Sequence, residues 1–172
     1  SLGSTPPAFR VERDVLAHGT PDLLFIESTV NDRTNGFGQK AQIRALEGIV
    51  QQALRANPTM GLVLMAFADP DNLAELAAGK EPVEIASHRG VAAHYGAAFV
   101  NLAQEVQARI QRGEFTWKYD FKDLHPSPFG QEVYFSSLKE LLLTAEHAAP
   151  VESIQQAKSM TQLDQYAYTK AH

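Results

Sequence analysis

Short apolar runs alternate with longer amphipathic segments along most of the chain. The apolar runs are bounded by residues that favour turns and are too short for helices, so they predict buried β-strands. They occupy residues 23–28, 61–67 and 97–100. The longer segments place apolar residues three and four positions apart, a spacing that predicts amphipathic helices. These occupy residues 39–56, 82–95, 102–111 and 128–146.

The order of these elements predicts an α/β fold. Strands separated by helices of this length form right-handed crossovers and a parallel sheet. The strands are almost continuously apolar, as expected of a sheet that is covered by helices on both faces. We therefore predict a three-layer α/β/α domain with a flavodoxin-like parallel sheet. Three strands are few for such a sheet, so we expect that the chain lacks the first strand or strands of its domain.

The composition is that of one globular domain. The 172 residues are 44% hydrophobic and 20% charged, with a formal net charge of −5, which disfavours nucleic acid as a partner. The apolar runs are far shorter than a membrane span, and the absence of cysteine excludes thiol chemistry. The composition changes near Pro150. We predict one domain over residues 1–149 and a linker or appended segment over residues 150–172.

A polar segment follows the first predicted strand, at the sheet edge where open α/β folds bind their ligands. Asn31 and Asp32 lie in this segment, ahead of a glycine-containing loop over residues 33–38. The side-chain amide of Asn31 could donate a hydrogen bond to an oxyanion there. The alternative is that Asn31 and Asp32 only cap the following helix, because both residue types favour caps and turns.

A second candidate site lies just before the last predicted helix. Asp123 stands two residues before His125, close enough for its carboxylate to fix the imidazole tautomer and leave the other ring nitrogen to act as a base. Pro126 keeps His125 out of helical conformation, and Ser127 followed by Pro128 is typical of a helix start. The alternative is a surface turn with an incidental Asp-x-His sequence.

The sequence predicts no metal site and no cofactor site. His88 and His94 lie on a predicted helix among Glu and Ala residues, and no pair of histidines has a third ligand at metal spacing. Gly36-Phe37-Gly38 lacks the third glycine and the lysine of a phosphate-binding loop.

The two candidate segments together resemble the SGNH, or GDSL, hydrolase family. Residues 21–32, which end in Asn31-Asp32, resemble block III of that family, a strand that leads into Gly-x-Asn-Asp. Asp123-Leu124-His125-Pro126 with Gly130 resembles block V, the Asp-His half of a catalytic triad. The resemblance covers about residues 1–147 and is nearest to bacterial acyl or acetyl esterases.

The sequence departs from the family pattern at three places. Thr29 stands where block III has its glycine, and Lys122 stands where block V usually has its aspartate, so that Asp123 is one residue nearer the histidine. Block I, the Gly-Asp-Ser that carries the nucleophile, has no counterpart, and we expect it upstream of Ser1. Gly3 is a slight match to the glycine of block II.

The resemblance implies acyl transfer to serine without a cofactor. It makes His125 the base, Asp123 the residue that orients it, and Asn31 and Gly3 the donors of the oxyanion hole. The substrates that it implies are small-molecule or carbohydrate esters with short acyl or acetyl groups.

Two other functions stay open. A non-catalytic fragment or binding domain would keep the fold without the nucleophile, and a flavodoxin-like nucleotide-binding domain would have the sheet without hydrolase ancestry. Ser28 lies close to Asn31, but Thr29 and Val30 favour continued extended structure over the sharp turn that a nucleophile needs. The oligomeric state is open, and secretion or a periplasmic location is one expectation for the full-length protein.

Overall fold

Three parallel strands form the centre of the molecule. The structure, a computed structural model, describes residues 2–147 and Met160. The strands pair in the order β1-β2-β3, and each lies within one residue of its predicted segment. Their bounds are Leu23–Glu27 for β1, Gly61–Ala66 for β2 and Ala98–Asn101 for β3. The predicted parallel α/β fold is therefore confirmed.

Helices cover the sheet. In the described residues they are α1 (Thr5–Asp14), α2 (Thr29–Thr34), α3 (Gln39–Ala56), α4 (Pro70–Ala77), α5 (Val83–Tyr95), α6 (Leu102–Gln111) and α7 (Pro128–Glu146). A 3-10 turn over Leu16–His18 and a π-helical turn over Trp117–Phe121 complete the regular structure. The helices α3, α5, α6 and α7 match the predicted segments, whereas α1, α2 and α4 were not predicted.

The middle strand β2 separates two hydrophobic cores, one on each face of the sheet. Leu62 and Leu64 face a core formed mainly with α1, α3 and α5. Val63 and Met65 face the second core, to which α6, α7 and the π-helical turn contribute. Alternate residues of a strand point to opposite faces, so this division confirms the three-layer arrangement.

Strand β1 has one open edge among the described residues, because it pairs only with β2. Leu23 and Phe25 of this strand are 40% and 39% exposed. A groove of about 310 Å³ lies between β1 and α1, with a mainly apolar lining that includes Val11 and Ile49. An open edge with such a groove beside it is suited to pairing with a further strand. The segment predicted over residues 150–172 lies outside the described residues, except for Met160.

Candidate active site

The chain turns directly from strand β1 into helix α2 at Ser28. Ser28 has φ −156° and ψ 6°, and α2 begins at the next residue. The expectation that Thr29 and Val30 continue the extended structure is wrong, because both are helical. Asn31 lies half-buried in the first turn of α2, so the alternative that it caps the helix is also wrong. Ser28 occupies the cap position instead.

Asp32 connects helix α2 to the start of the described chain. Its carboxylate accepts hydrogen bonds from the backbone N–H of Ser4 at 2.6 Å and from the Ser4 hydroxyl at 3.0 Å. The second carboxylate oxygen lies 3.0 Å from Oγ of Ser28. Asp32 is completely buried, and this burial raises the pKa of its carboxyl although the surrounding hydrogen bonds act in the opposite direction.

Gly3 packs tightly against the same carboxylate. A side chain at Gly3 would collide with Asp32 and would come within 2.9 Å of the Phe37 ring. The loop that carries Gly3 therefore lies directly against α2, the helix that carries Asn31. Two segments that the family resemblance assigns to one oxyanion hole are thus in contact.

Arg33 fixes the other side of α2. Its Nη2 lies 2.8 Å from the carboxylate of Glu75 on α4 and 3.0 Å from that of Glu84 on α5. Only 22% of the Arg33 side chain is exposed, so these ion pairs are partly protected from solvent. With Asp32 on one side and Arg33 on the other, Asn31 stands on a helix that is held on two sides.

Asp123 and His125 lie in the loop between the π-helical turn and α7, and both are exposed. Within the described residues, no hydrogen bond joins the Asp123 carboxylate to the His125 ring. Ser127 starts α7 as predicted, because its hydroxyl accepts the backbone N–H of Gly130 at 3.2 Å, and Pro128 follows it. The roles of Asp123 and His125 stay predictions.

Asp120 is the other acidic residue close to His125 in sequence. Its carboxylate accepts hydrogen bonds from the backbone N–H of Thr116 at 2.7 Å and from the Thr116 hydroxyl at 2.8 Å. These bonds hold the pKa of Asp120 below its ordinary value. Asp120 therefore stabilises the π-helical turn and already has partners of its own.

Tyr134 anchors α7 to the carboxyl end of strand β2. Its hydroxyl accepts the backbone N–H of Ala68 at 2.9 Å, and its ring stacks on Phe67 with 4.8 Å between the ring centroids. Phe67 and Ala68 follow directly after the last residue of β2. The helix that begins just after His125 is therefore attached to the same edge of the sheet from which α2 starts.

Glu27 joins the carboxyl ends of β1 and β2, a role that the sequence did not reveal. Its Oε1 accepts the backbone N–H of Thr29 at 2.8 Å and that of Phe67 at 3.4 Å. Burial raises the pKa of the Glu27 carboxyl, against the effect of these hydrogen bonds. These contacts hold the start of α2 and the segment after β2 together.

His88, which the sequence places on a helix without a role in the candidate site, is completely buried. Its Nε2 lies 2.9 Å from Oγ of Ser28, and its Nδ1 lies 2.9 Å from the carbonyl oxygen of Glu84. Burial lowers the pKa of His88 to about 4. A sequence signal existed, because His88 follows Ile85 by three residues and precedes Ala92 by four, which places it on the buried face of α5.

The described residues contain no group of three or more acidic or histidine side chains that could hold a metal ion. Every helix in this part of the chain is too short or too polar to cross a membrane.

Comparison with solved structures identifies the fold. The chain is similar to the crystal structure of a two-domain esterase active on acetylated mannans, with a TM-score of 0.73 and 20% sequence identity. The match covers 91% of this chain but only 39% of the esterase chain, so this chain spans less than half of that protein. The parallel sheet with helices on both faces is the fold of SGNH esterases. No curated protein sequence matches the chain.

The family follows from the sequence itself. Residues 3–133 match the GDSL-like Lipase/Acylhydrolase family, which is more than half of the 172 residues. The matched range includes Gly3, Asn31, Asp123 and His125. The chain therefore belongs to the GDSL-like lipase/acylhydrolase family. This membership excludes the alternative of a nucleotide-binding domain without hydrolase ancestry.

Proposed function

We propose that this chain supplies four residues to the active site of a serine ester hydrolase. They are His125, Asp123, Asn31 and Gly3. Family membership gives the reaction class, the hydrolysis of acyl esters. The observation that carries the proposal is the contact between Asp32 and Ser4, which lays the Gly3 loop against the helix of Asn31. Two donors to one oxyanion require such proximity.

The chemistry follows from the functional groups. His125 accepts the proton of the nucleophilic serine as that serine's oxygen attacks the ester carbonyl carbon. The oxyanion that forms accepts hydrogen bonds from the side-chain amide of Asn31 and the backbone N–H of Gly3, each worth about 3–4 kcal/mol in the transition state. Collapse breaks the bond to the alcohol, which leaves with the proton from His125. Water then attacks the acyl-serine with the help of the same base.

Asp123 orients His125 in this proposal. Both side chains are exposed on one short loop, so rotation about their side-chain bonds can bring a carboxylate oxygen to a ring nitrogen. Catalytic hydrogen bonds are often long or poorly aligned without substrate and tighten when it binds. Asp120 is the weaker candidate because its carboxylate already binds Thr116.

The nucleophile belongs to a segment that precedes residue 1 in this proposal. The serines that lie closest in sequence to the four proposed site residues have other roles. Ser4 and Ser28 are buried around Asp32, and Ser127 caps α7. The open edge of β1 offers a position for a further parallel strand, with the apolar groove beside α1 to receive its side chains. The carboxyl end of such a strand would lie next to the start of α2.

The proposed substrates are short acyl or acetyl esters, including acetyl esters of carbohydrates. The similar solved structure belongs to an esterase active on acetylated mannans, and this likeness supports a carbohydrate ester. The exposed position of His125 is compatible with a substrate group too large for a closed cavity.

A second candidate function is that of a non-catalytic domain that retains the fold. The specific observation in its favour is that Asp123 and His125, though close in sequence, form no hydrogen bond with each other in the described residues. This candidate predicts binding of acetylated carbohydrate without release of acetate.

The deciding experiment expresses the chain with the coding sequence that precedes it. Release of acetate from p-nitrophenyl acetate and from acetylated mannan is measured for wild type, His125→Ala and Asn31→Ala. We expect His125→Ala to abolish activity and Asn31→Ala to lower kcat by about 10²–10³-fold. His18→Ala, at an exposed histidine of the 3-10 turn, is the matched control and retains activity. A folded wild-type protein without esterase activity contradicts the proposal and favours the non-catalytic domain.

A further inference from the structure

Four buried side chains from three segments form a hydrogen-bonded chain that the proposed reaction does not use. Ser4 precedes α1, Ser28 and Asp32 bracket the start of α2, and His88 lies on α5. All four are at most 3% exposed. The hydrogen bonds connect Ser4 to Asp32, Asp32 to Ser28, and Ser28 to His88. It includes a serine and a histidine in contact, but Ser28 is covered by protein and is not accessible to an ester.

The hydrogen-bond partners of His88 determine its tautomer, that is, which ring nitrogen carries the hydrogen. The carbonyl oxygen of Glu84 can only accept, so the Nδ1 of His88, 2.9 Å away, must carry a hydrogen. In the neutral ring the other nitrogen, Nε2, is then an acceptor. Its partner at 2.9 Å is the hydroxyl of Ser28, which must donate to it.

The hydrogens available in this cluster also determine whether the Asp32 carboxyl group is protonated. Ser28 has only one hydroxyl hydrogen, and a neutral His88 takes it. The contact of 3.0 Å between Ser28 and the second carboxylate oxygen of Asp32 then needs a hydrogen on the carboxyl group. Without that hydrogen, two lone pairs would face each other in the interior.

One other arrangement results when the carboxyl hydrogen of Asp32 passes to Ser28 and the Ser28 hydrogen passes to Nε2 of His88. Asp32 is then ionised and His88 is positively charged. This arrangement contains the same number of hydrogens but places two charges in a buried site, which is costly. Burial raises the pKa of Asp32 and lowers that of His88, so both effects favour the neutral arrangement. The other oxygen of Asp32 still accepts both donors of Ser4.

We propose that Asp32 is a neutral carboxylic acid and a positioning residue, which holds the Gly3 loop against the helix of Asn31 and is itself held by Ser28 and His88. The positioning role rests on the proposed function, because it concerns the two donors assigned to the oxyanion. Asp32 does not touch the substrate. It acts through Ser4 and through the tight contact with Gly3, where any side chain would collide with its carboxylate.

The hydrogen arrangement is tested without any activity measurement. In the 172-residue chain labelled with ¹³C and ¹⁵N, NMR at pH 7 should show hydrogen on Nδ1 of His88, none on Nε2, and the carboxyl carbon shift of a protonated acid at Asp32. An ionised Asp32, or hydrogen on Nε2 of His88, overturns the assignment. Ser28→Ala should change the ring nitrogen shifts of His88, because it removes the donor to Nε2.

The positioning role is tested with a conservative and a disruptive variant. Asp32→Asn keeps a donor for Ser28 and an acceptor for Ser4, so hydrogen-exchange protection of the Ser4 amide should remain. Asp32→Ala removes both and should lower that protection at least about tenfold. Asp71→Ala, at an exposed acidic residue of α4, should leave it unchanged. Equal protection in Asp32→Ala and wild type overturns the role, and loss in Asp32→Asn does the same.

The kinetic readout uses the protein expressed with its upstream coding sequence. Asp32→Ala should lower kcat by about 10–100-fold with KM within twofold, and Asp32→Asn should restore kcat to near the wild-type value. If Asp32→Ala does not fold, Asp32→Asn and Ser28→Ala carry the test. A wild-type protein without activity defeats the proposed function, whereas the NMR and exchange results decide the state and structural role of Asp32 independently.

Discussion

The carboxylate of Asp32 accepts the backbone N–H of Ser4 at 2.6 Å, although the two residues are 28 positions apart in the sequence. Helix α1, the 3-10 turn and strand β1 lie between them. The contact therefore holds the start of α1 against α2, the helix that follows β1. Because Gly3 and Asn31 are the neighbours of these two residues, the geometry of the proposed oxyanion hole depends on this one buried bond.

Gly3→Ala is predicted to destabilise the fold. The added methyl group would collide with the Asp32 carboxylate and approach the Phe37 ring to 2.9 Å, so the loop or the ring must move. Overpacking of this kind costs about 1–3 kcal/mol, measured as the free energy of unfolding in urea. Gly90→Ala on α5 is the matched control, where the new methyl group has only ordinary contacts. It should stabilise the chain by about 0.5–1 kcal/mol, and equal effects of the two substitutions would contradict the prediction.

Tyr134→Phe tests the anchor between α7 and the end of β2. The substitution leaves the ring stacked on Phe67 but removes the acceptor of the Ala68 N–H, which is buried. An unsatisfied buried donor costs about 1–3 kcal/mol of unfolding free energy, as chemical denaturation would measure. Tyr119→Phe removes the same atom from a side chain that is 71% exposed and should change stability by less than about 0.5 kcal/mol.

Much of this architecture could be predicted from the sequence. The strands and the helices α3, α5, α6 and α7 follow from apolar periodicity, because each element buries one face or both. Helix α1 was missed because two prolines open it and its apolar face is interrupted by charged residues. Helix α2 was missed because β-branched Thr29 and Val30 favour extended structure locally. The buried contacts of Asp32, made after the chain folds, outweigh that preference.

The candidate site was harder to predict from the sequence than the fold. Asn31 and His125 were found through motifs, which record chemistry that recurs at fixed spacing. His88 and Glu27 were not, because their partners come from other segments: Ser28 lies 60 residues before His88, and Phe67 lies 40 residues after Glu27. No local pattern encodes such contacts. Only the pairing of β1 with β2 and the packing of α5 bring these groups together.

The titration of His88 is predicted to destabilise the folded chain as the pH decreases from about 6.5 towards 4. The pKa of His88 is about 4 in the folded chain and near 6.5 when unfolded, so acid protonates the unfolded chain first. The loss that His88 alone contributes approaches about 3 kcal/mol over this range. The proton that Asp32 keeps in the folded chain acts in the opposite sense and offsets much of this loss, so a substitution of His88 is needed to separate the two contributions.

Urea unfolding of wild type and His88→Gln, measured from pH 7 to pH 4.5, isolates the contribution of His88. The difference in unfolding free energy between the two proteins should shrink as the pH falls, because only wild type loses the histidine contribution. His18→Gln, at an exposed histidine of the 3-10 turn, is the matched control. A constant difference between wild type and His88→Gln would rule out the titration of His88 as the cause.

The position of the nucleophile gives the last prediction: the 172-residue chain by itself forms no covalent adduct with an organophosphonate ester. Such probes react with an activated, accessible serine, and Ser28 is neither, although it lies on a strand-to-helix turn. It is 3% exposed, and its hydroxyl is engaged between His88 and Asp32. After incubation, mass spectrometry of the peptides should show every serine unmodified, whereas the protein expressed with its upstream sequence should carry one adduct on a serine before residue 1. A stoichiometric adduct on Ser28 or any other serine of this chain would place the nucleophile within it and overturn the proposal that it lies upstream.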